Sequence, residues 1–188
     1  MKRSLFVVIA LSMLLVSCSA RQVTPTYEGL TAQKLISRSI DRGLQNISQS
    51  DLLFLVNHKV FIDWYSLSTM TESTYIKARL ELELELHNIN IVNSRSVADY
   101  TMIVFCTAAG TATQFSGFET PDMSLSAMPL PRIKVFGIDL YKGEFEFYYY
   151  LKDAKGQIIK RSEFVRGKAK SDKINLFTIT IPINDINK

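Results

Sequence analysis

Five apolar residues in an unbroken run, Met102-Ile103-Val104-Phe105-Cys106, set the strongest constraint on what this chain can fold into. A short apolar run rich in β-branched and aromatic types reads as a strand, and one that is apolar on both faces suits the middle of a sheet. Tyr100 to Thr107 is therefore expected to be a central strand. Lys59-Val60-Phe61-Ile62-Asp63-Trp64, after an Asn57-His58 turn, reads as a second buried strand, and Ile89-Asn90-Ile91-Val92 as a short third. Between them lie helical signals. Leu35, Ile36, Ile40, Leu44 and Ile47 recur at helical spacing over 32–47, with Thr31 as the candidate cap.

Ser73 to Leu86 reads two ways. Leu80-Glu81-Leu82-Glu83-Leu84-Glu85-Leu86 alternates as a half-buried strand would. Yet Leu, Glu, Ala, Lys and Arg are strong helix formers, and Ile76, Leu80 and Leu84 make an i, i+4, i+8 row, so helix is the reading adopted. Helices and strands in this mixture define an α/β (α+β) class.

From Ala108 to Arg132 the pattern changes. Gly110, Gly117, Pro121, Pro129 and Pro131 punctuate a stretch kept apolar by Phe115, Phe118, Met123, Leu125 and Met128. The expectation is a long apolar loop over 108–132, a kind of segment that is uncommon in compact domains and usually functional or disordered. Apolar side chains around prolines need cover from the domain, a membrane or a partner, so these five residues are the candidate partner-binding set. Ile133 to Tyr141 and Glu144 to Leu151 then read as a hairpin turning at Lys142-Gly143. A turn at Asp153-Ala154-Lys155-Gly156 leads to a regular segment at 157–167, and Ile174 to Ile181 reads as the last strand.

The amino terminus carries an address. Lys2 and Arg3 precede an apolar stretch from Leu5 to Val16, and small residues follow, the three parts of an export signal over 1–17. Twelve residues at about 1.5 Å each fall short of the roughly 30 Å of a hydrocarbon core, which disfavours a permanent membrane span. Leu15-Val16-Ser17-Cys18 resembles the lipobox of bacterial lipoproteins. That resemblance implies cleavage before Cys18, a diacylglycerol thioether on its sulfur and acylation of the new amine, an anchor of three chains that binds a bilayer all but permanently. Residues 18–29 would be a lipidated tether and 30–188 a single α/β domain. Ser19, where aspartate is the usual inner-membrane retention signal, points by the same resemblance to the periplasmic face of the outer membrane.

Ala98-Asp99-Tyr100 ahead of a long strand, and Tyr150-Leu151-Lys152-Asp153-Ala154-Lys155-Gly156-Gln157-Ile158-Ile159, resemble a group of bacterial envelope lipoproteins. The group includes the curli secretion-channel lipoprotein and the peptidoglycan-synthase-activator lipoprotein. The chain is similar too to a lipoprotein family of the same plan that ends in an aliphatic strand and Asp-Ile, as Ile183-Asn184-Asp185-Ile186 does. The resemblance implies a single mixed, mostly antiparallel sheet with two helices packed on one face, and a role in assembly or regulation rather than catalysis.

Chemistry-bearing patterns are sparse. His58 and His87 sit at element ends without a nucleophile or metal-ligand spacing around them, and no Gly-rich loop opens a helix after a strand. Asp63, Asp99, Asp139 and Asp153 lie at apparent strand ends, where turn and cap duty is the common role. Cys106 reads as a small core residue. Phe145, Phe147 and Tyr149 share one strand face and read as packing, although the cluster with Tyr148 and Tyr150 could also stack on sugars or bases. Twenty-two basic against 18 acidic residues become 20 against 18 once Lys2 and Arg3 leave, which gives no basic patch for nucleic acid. The function expected is therefore a membrane-anchored, non-enzymatic lipoprotein, without cofactor or metal, that binds an envelope protein or itself. A membrane-tethered hydrolase and a subunit of an oligomeric secretion channel are the alternatives.

Overall fold

The computed structural model describes residues 29–67, 70–119, 123–125, 128–130, 134–176 and 179–184. The expected leader, Cys18 and the tether before Gly29 lie outside them. Among the described residues three α-helices, α1 (Leu30–Gln45), α2 (Gln49–Leu55) and α3 (Met70–Leu86), accompany nine strands. These are β1 (Lys59–Ser66), β2 (Asn90–Ile91), β3 (Tyr100–Glu119), β4 (Met123–Leu125), β5 (Met128–Leu130), β6 (Lys134–Asp153), β7 (Ile158–Arg161), β8 (Val165–Leu176) and β9 (Ile179–Asn184). Seven strands form one mixed sheet in the order β2-β1-β3-β6-β8-β9, with β7 also paired to β6, while β4 and β5 pair separately. The sheet is parallel where β1 meets β2 and β3, and antiparallel where β6 meets β7 and β8 meets β9. This is the α+β class expected, with β3 in the interior of the sheet.

The chain forms two compact units, and β3, β6 and β8 each supply a stretch to both. An α/β unit comprises 28–111 and 142–169; a strand unit contains 112–141 and 170–188.

In the α/β unit, strand alternation sorts side chains to two faces. Val60 and Ile62 of β1, Met102, Val104 and Cys106 of β3, and Phe145, Phe147, Tyr149 and Leu151 of β6 are buried in one cluster. Ile40 and Leu44 of α1, Leu52 and Leu55 of α2, and Ile76, Leu80 and Leu84 of α3 complete it. The helices therefore cover one face of the sheet. Burial also decides the reading of 80–86: Leu80 and Leu84 are buried whereas Leu82 and Leu86 are exposed, as a helix dictates and a strand would not allow. Helix α2 escaped the sequence reading because seven residues hold less than two full helical repeats.

Four expectations need correction. Residue 142 does not begin a turn, because β6 runs unbroken from Lys134 to Asp153. Gly143 serves close approach instead: a Cβ there would lie 2.4 Å from the Leu35 carbonyl oxygen of α1. Likewise 108–119 is strand rather than loop, and Gly117 is tolerated in it because the backbone of β6 passes so near that a Cβ would meet Phe136 O at 2.3 Å. The segment expected to be one last strand at 174–181 lies in two antiparallel strands, β8 and β9. Finally, Gly29 rather than Thr31 precedes the first turn of α1 and accepts from Gln33 N.

Helix α1 meets β8 in the same way. A Cβ on Gly167 would come 1.8 Å from Ser39 O and 2.4 Å from Gly43 N, so helix and strand touch backbone to backbone. Gly167→Ala is expected to destabilise the protein by about 3 kcal/mol, the upper end for overpacking, because the obstacle is main chain and cannot rotate away. Gly110→Ala, with nothing within 4 Å of its added methyl, should stay within about 0.5 kcal/mol of the parent. Urea midpoints of the two variants check both.

Candidate binding surface

The sheet face of the α/β unit opposite the helices carries a connected set of aromatic rings. Tyr65 and Phe105 are Cα partners across β1 and β3, and their rings stack at 5.2 Å. Phe105 stacks in turn on Tyr148 of β6 at 5.3 Å, leaving it between two rings. Tyr150 meets Phe105 edge-on at 6.2 Å and Tyr148 at 5.9 Å, and Phe164 closes on Tyr148 at 5.2 Å. Arg161 is opposite Tyr150 in the β6–β7 register, and its guanidinium lies 5.6 Å from the Tyr150 ring centre and 5.9 Å from that of Tyr148. Arg166 lies 5.6 Å from the Phe164 ring centre and also donates to Glu146.

Glu146 is held as a carboxylate. The hydrogen bond from Arg166 is the main cause; burial opposes it, and Thr107 donating at 2.9 Å with the positive charge of Arg166 and Lys168 adds to it. Its pKa is lowered accordingly.

Beside the rings runs a groove of about 660 Å³, lined by Asn46, Ser48, Asp51, Tyr149, Lys160 and residues 161–166. At its base Asp51 of α2 is only 1% exposed, yet charged. Burial, the largest single influence, pushes its pKa up, but hydrogen bonds from Lys160, Tyr149 and Ser50 together carry it below the ordinary value of 3.8. Tyr149 donates its hydroxyl to Asp51 Oδ2 at 2.6 Å, and burial followed by that bond raises the phenol far above its usual range. Tyr149 is thus a fixed donor at neutral pH. The trio ties α2 to β6 and β7.

The sequence-derived candidates are dispersed. Phe115 packs toward Gly137, where an added Cβ would lie 2.6 Å from its ring, whereas Phe118 is exposed; three residues apart on one strand, they point to opposite faces. Met123, Leu125 and Met128 lie on the β4–β5 hairpin, with Leu125 opposite Met128, and their side chains are outside the described set. Cys18 is outside it too. Cys106 is buried in the core. Asp99 accepts from Lys59 N at 2.8 Å with His58 at 3.7 Å, Asp153 caps its turn by accepting from Lys155 N and Gln157 N, and Asp139 accepts from Asn175 at 2.8 Å. Asp63 accepts from the Tyr65 hydroxyl at 3.3 Å, and His87 faces Glu83 at 3.6 Å on α3. Among the described residues no three His, Cys, Asp or Glu side chains gather as a metal site would require, and no helix is long and apolar enough to cross a membrane.

The sequence favours packing for the Phe145–Tyr150 cluster, with stacking on sugars or bases as the alternative. Packing holds for the buried Phe145, Phe147 and Tyr149. The alternation that buries them sends Tyr148 and Tyr150 to the other face beside Glu146, and an aromatic row interleaved with charge was the available signal.

No protein-family model matches the chain, and no curated protein does. Among solved structures it is similar to a neuraminyllactose-binding hemagglutinin homolog from Helicobacter pylori, at 12% identity over 69% of this chain and 74% of that one, with a TM-score of 0.35. It is also similar to the LpoB C-terminal domain from Salmonella enterica, at 9% identity over 73% of this chain and 95% of that one, with a TM-score of 0.31.

Lowering the pH tests the buried carboxylate. Because the folded pKa of Asp51 lies below its unfolded value, its contribution is complete above about pH 4 and is lost as pH falls through the folded value. Asp51→Asn should flatten the acid limb of the stability curve. Asp51→Ala should cost about 2 kcal/mol at pH 7, mainly by stranding the Tyr149 hydroxyl, since Lys160 is 44% exposed and can turn to water. Urea melts from pH 3 to 7 read out both variants.

Proposed function

We propose that this chain is a lipid-anchored, non-enzymatic envelope lipoprotein whose α/β unit binds another envelope protein. Acylation at Cys18 and the periplasmic face of the outer membrane come from the leader and from Ser19. The observation that carries the binding role is the ring set of Tyr65, Phe105, Tyr148, Tyr150 and Phe164 with Arg161 on the uncovered sheet face. Tyrosine and arginine are the residues that dominate protein interfaces, because they offer large rigid area together with a polar end.

Protein suits this surface better than glycan. A sugar platform needs a free ring face, whereas Phe105 has a ring on each side and Tyr148 is engaged by Phe105, Tyr150, Phe164 and Arg161. What remains outward are Tyr65 and Phe164, each about half exposed at the ends of the set, with the Arg161 guanidinium beside Tyr150, a mixture of apolar ring and polar group that fits a protein surface. The rings hold one another in place, so little side-chain freedom is lost when a partner docks.

A photoreactive benzoylphenylalanine placed at Tyr65 in intact cells should capture one dominant envelope protein, and Arg161→Glu should reduce that capture at least tenfold at unchanged protein level. A ladder of unrelated products, or capture indifferent to Arg161→Glu, would reject the binding surface. The anchor is checked separately by mass spectrometry of the purified chain, which should begin at Cys18 and carry a diacylglycerol and an amide-linked acyl group; an unmodified thiol there would reject it.

A further inference from the structure

The strand unit is amphipathic in the wrong sense for water. Its face assignments follow from pairing: Ile174 is opposite Ile181, Leu176 opposite Ile179 and Asp172 opposite Ile183 across β8 and β9. Asn175 donates to Asp139 and Lys173 lies over the Tyr141 ring, so the odd positions of β6 and β8 share one face and the even positions share the other. Phe115, beside Gly137, belongs to the odd face and Phe118 to the even one.

On the odd face three polar side chains are buried, Asp139 at 9% exposed, Ser171 at 2% and Asn175 at 7%, while Thr180 and Pro182 of the edge strand are open. The even face is open and mostly apolar, with Phe118, Phe136, Leu176, Ile179, Ile181 and Ile183 between 41% and 61% exposed and Gln114 and Ser116 of β3 as its exposed polar members. A sheet with one wet face ordinarily buries its apolar row and shows water its polar one. Reversal of that order across neighbouring strands is the pattern of strands that face hydrocarbon.

We propose that this even face rests on a lipid bilayer, its aliphatic side chains dipping into the acyl boundary while the sheet lies flat at headgroup level. Three features favour lipid over a protein occupant. The exposed even-face residues of β9 are all isoleucine, with no tyrosine, arginine or charged anchor to specify a partner. The row changes at one end to Asp172 and the exposed Lys170, and that lysine is suited to anionic headgroups at the rim. Lying flat also leaves the open edge of β9 among headgroups and water, where its backbone groups find partners that hydrocarbon could not supply. The inference concerns residues other than those of the aromatic set and does not require the anchor.

The test uses the full chain as purified from membranes, placed in phosphatidylethanolamine and phosphatidylglycerol vesicles, with Cys106→Ser as the background. A nitrobenzoxadiazole probe is attached at Ile181→Cys, Ile183→Cys or Phe136→Cys, with Thr180→Cys, exposed on the opposite face of β9, and Lys155→Cys as controls. At the three even-face positions, lipids doxyl-labelled high on the acyl chain should quench the probe at least twofold, and the controls should be unaffected. Equal quenching at Ile181 and Thr180, or none at any even-face site, overturns the proposal. A probe at Ile181 that is shielded from water but not quenched also overturns it, because a protein then covers the face. The N-terminal mass is measured on the same sample; if it shows Cys18 unacylated, Cys18→Ser joins the background so that the probe marks one site, and quenching confined to the even-face positions then leaves this inference standing without the anchor.

Discussion

Contact between bare backbones holds the α/β unit in register. Helix α1 lies on β6 and β8 with Gly143 under Leu35, and Gly167 under Ser39 and Gly43, at separations no side chain could share. Phe145 then fits against Gly43, where an added Cβ would sit 2.5 Å from its ring, so the largest core side chains and the absent ones are matched. Interiors are packed at crystal-like density, and two neighbouring backbone contacts of this kind fix both the height and the direction of the helix. Arg42 and Asn46 add side-chain bonds to the carbonyls of Lys168 and Arg166 along the same seam.

With the helix layer fixed on one face, strand alternation leaves the other face to be furnished independently. β1, β3 and β6 place Tyr65, Phe105, Tyr148 and Tyr150 there, and β7 and its following segment add Arg161 and Phe164. The buried Asp51 with Tyr149 and Lys160 links this side of the sheet to α2, because Tyr149 is an inward residue and Lys160 comes from the edge strand beside the rings. Burial of this carboxylate opposes its charge, and the hydrogen bonds from Lys160, Tyr149 and Ser50 more than offset that cost.

The strand unit follows the opposite rule. It puts Asp139, Ser171 and Asn175 inside and leaves Phe118, Phe136, Ile179, Ile181 and Ile183 open, a pattern that fits the bilayer contact proposed for it. A domain with an aromatic, arginine-bearing face in one unit and an aliphatic face in another has two chemically different surfaces to occupy.

Local patterns in the sequence were enough for what depends on neighbours along the chain. The helical stripe of α1, the Ile76-Leu80-Leu84 row of α3, the interior strand at 100–107 and the inward set Phe145, Phe147 and Tyr149 all follow from period and propensity. Glycine was misread at 108–119 and 142–143, because its usual meaning as a breaker is statistical, whereas here Gly117 and Gly143 answer to backbones brought near from distant positions. Asp51 carried no local signal at all; its partners lie 98 and 109 residues away. Composition and periodicity thus determine which faces exist, but which face is covered is a property of tertiary contact, because burial is set by what other segments bring to a surface and not by the residues that make it.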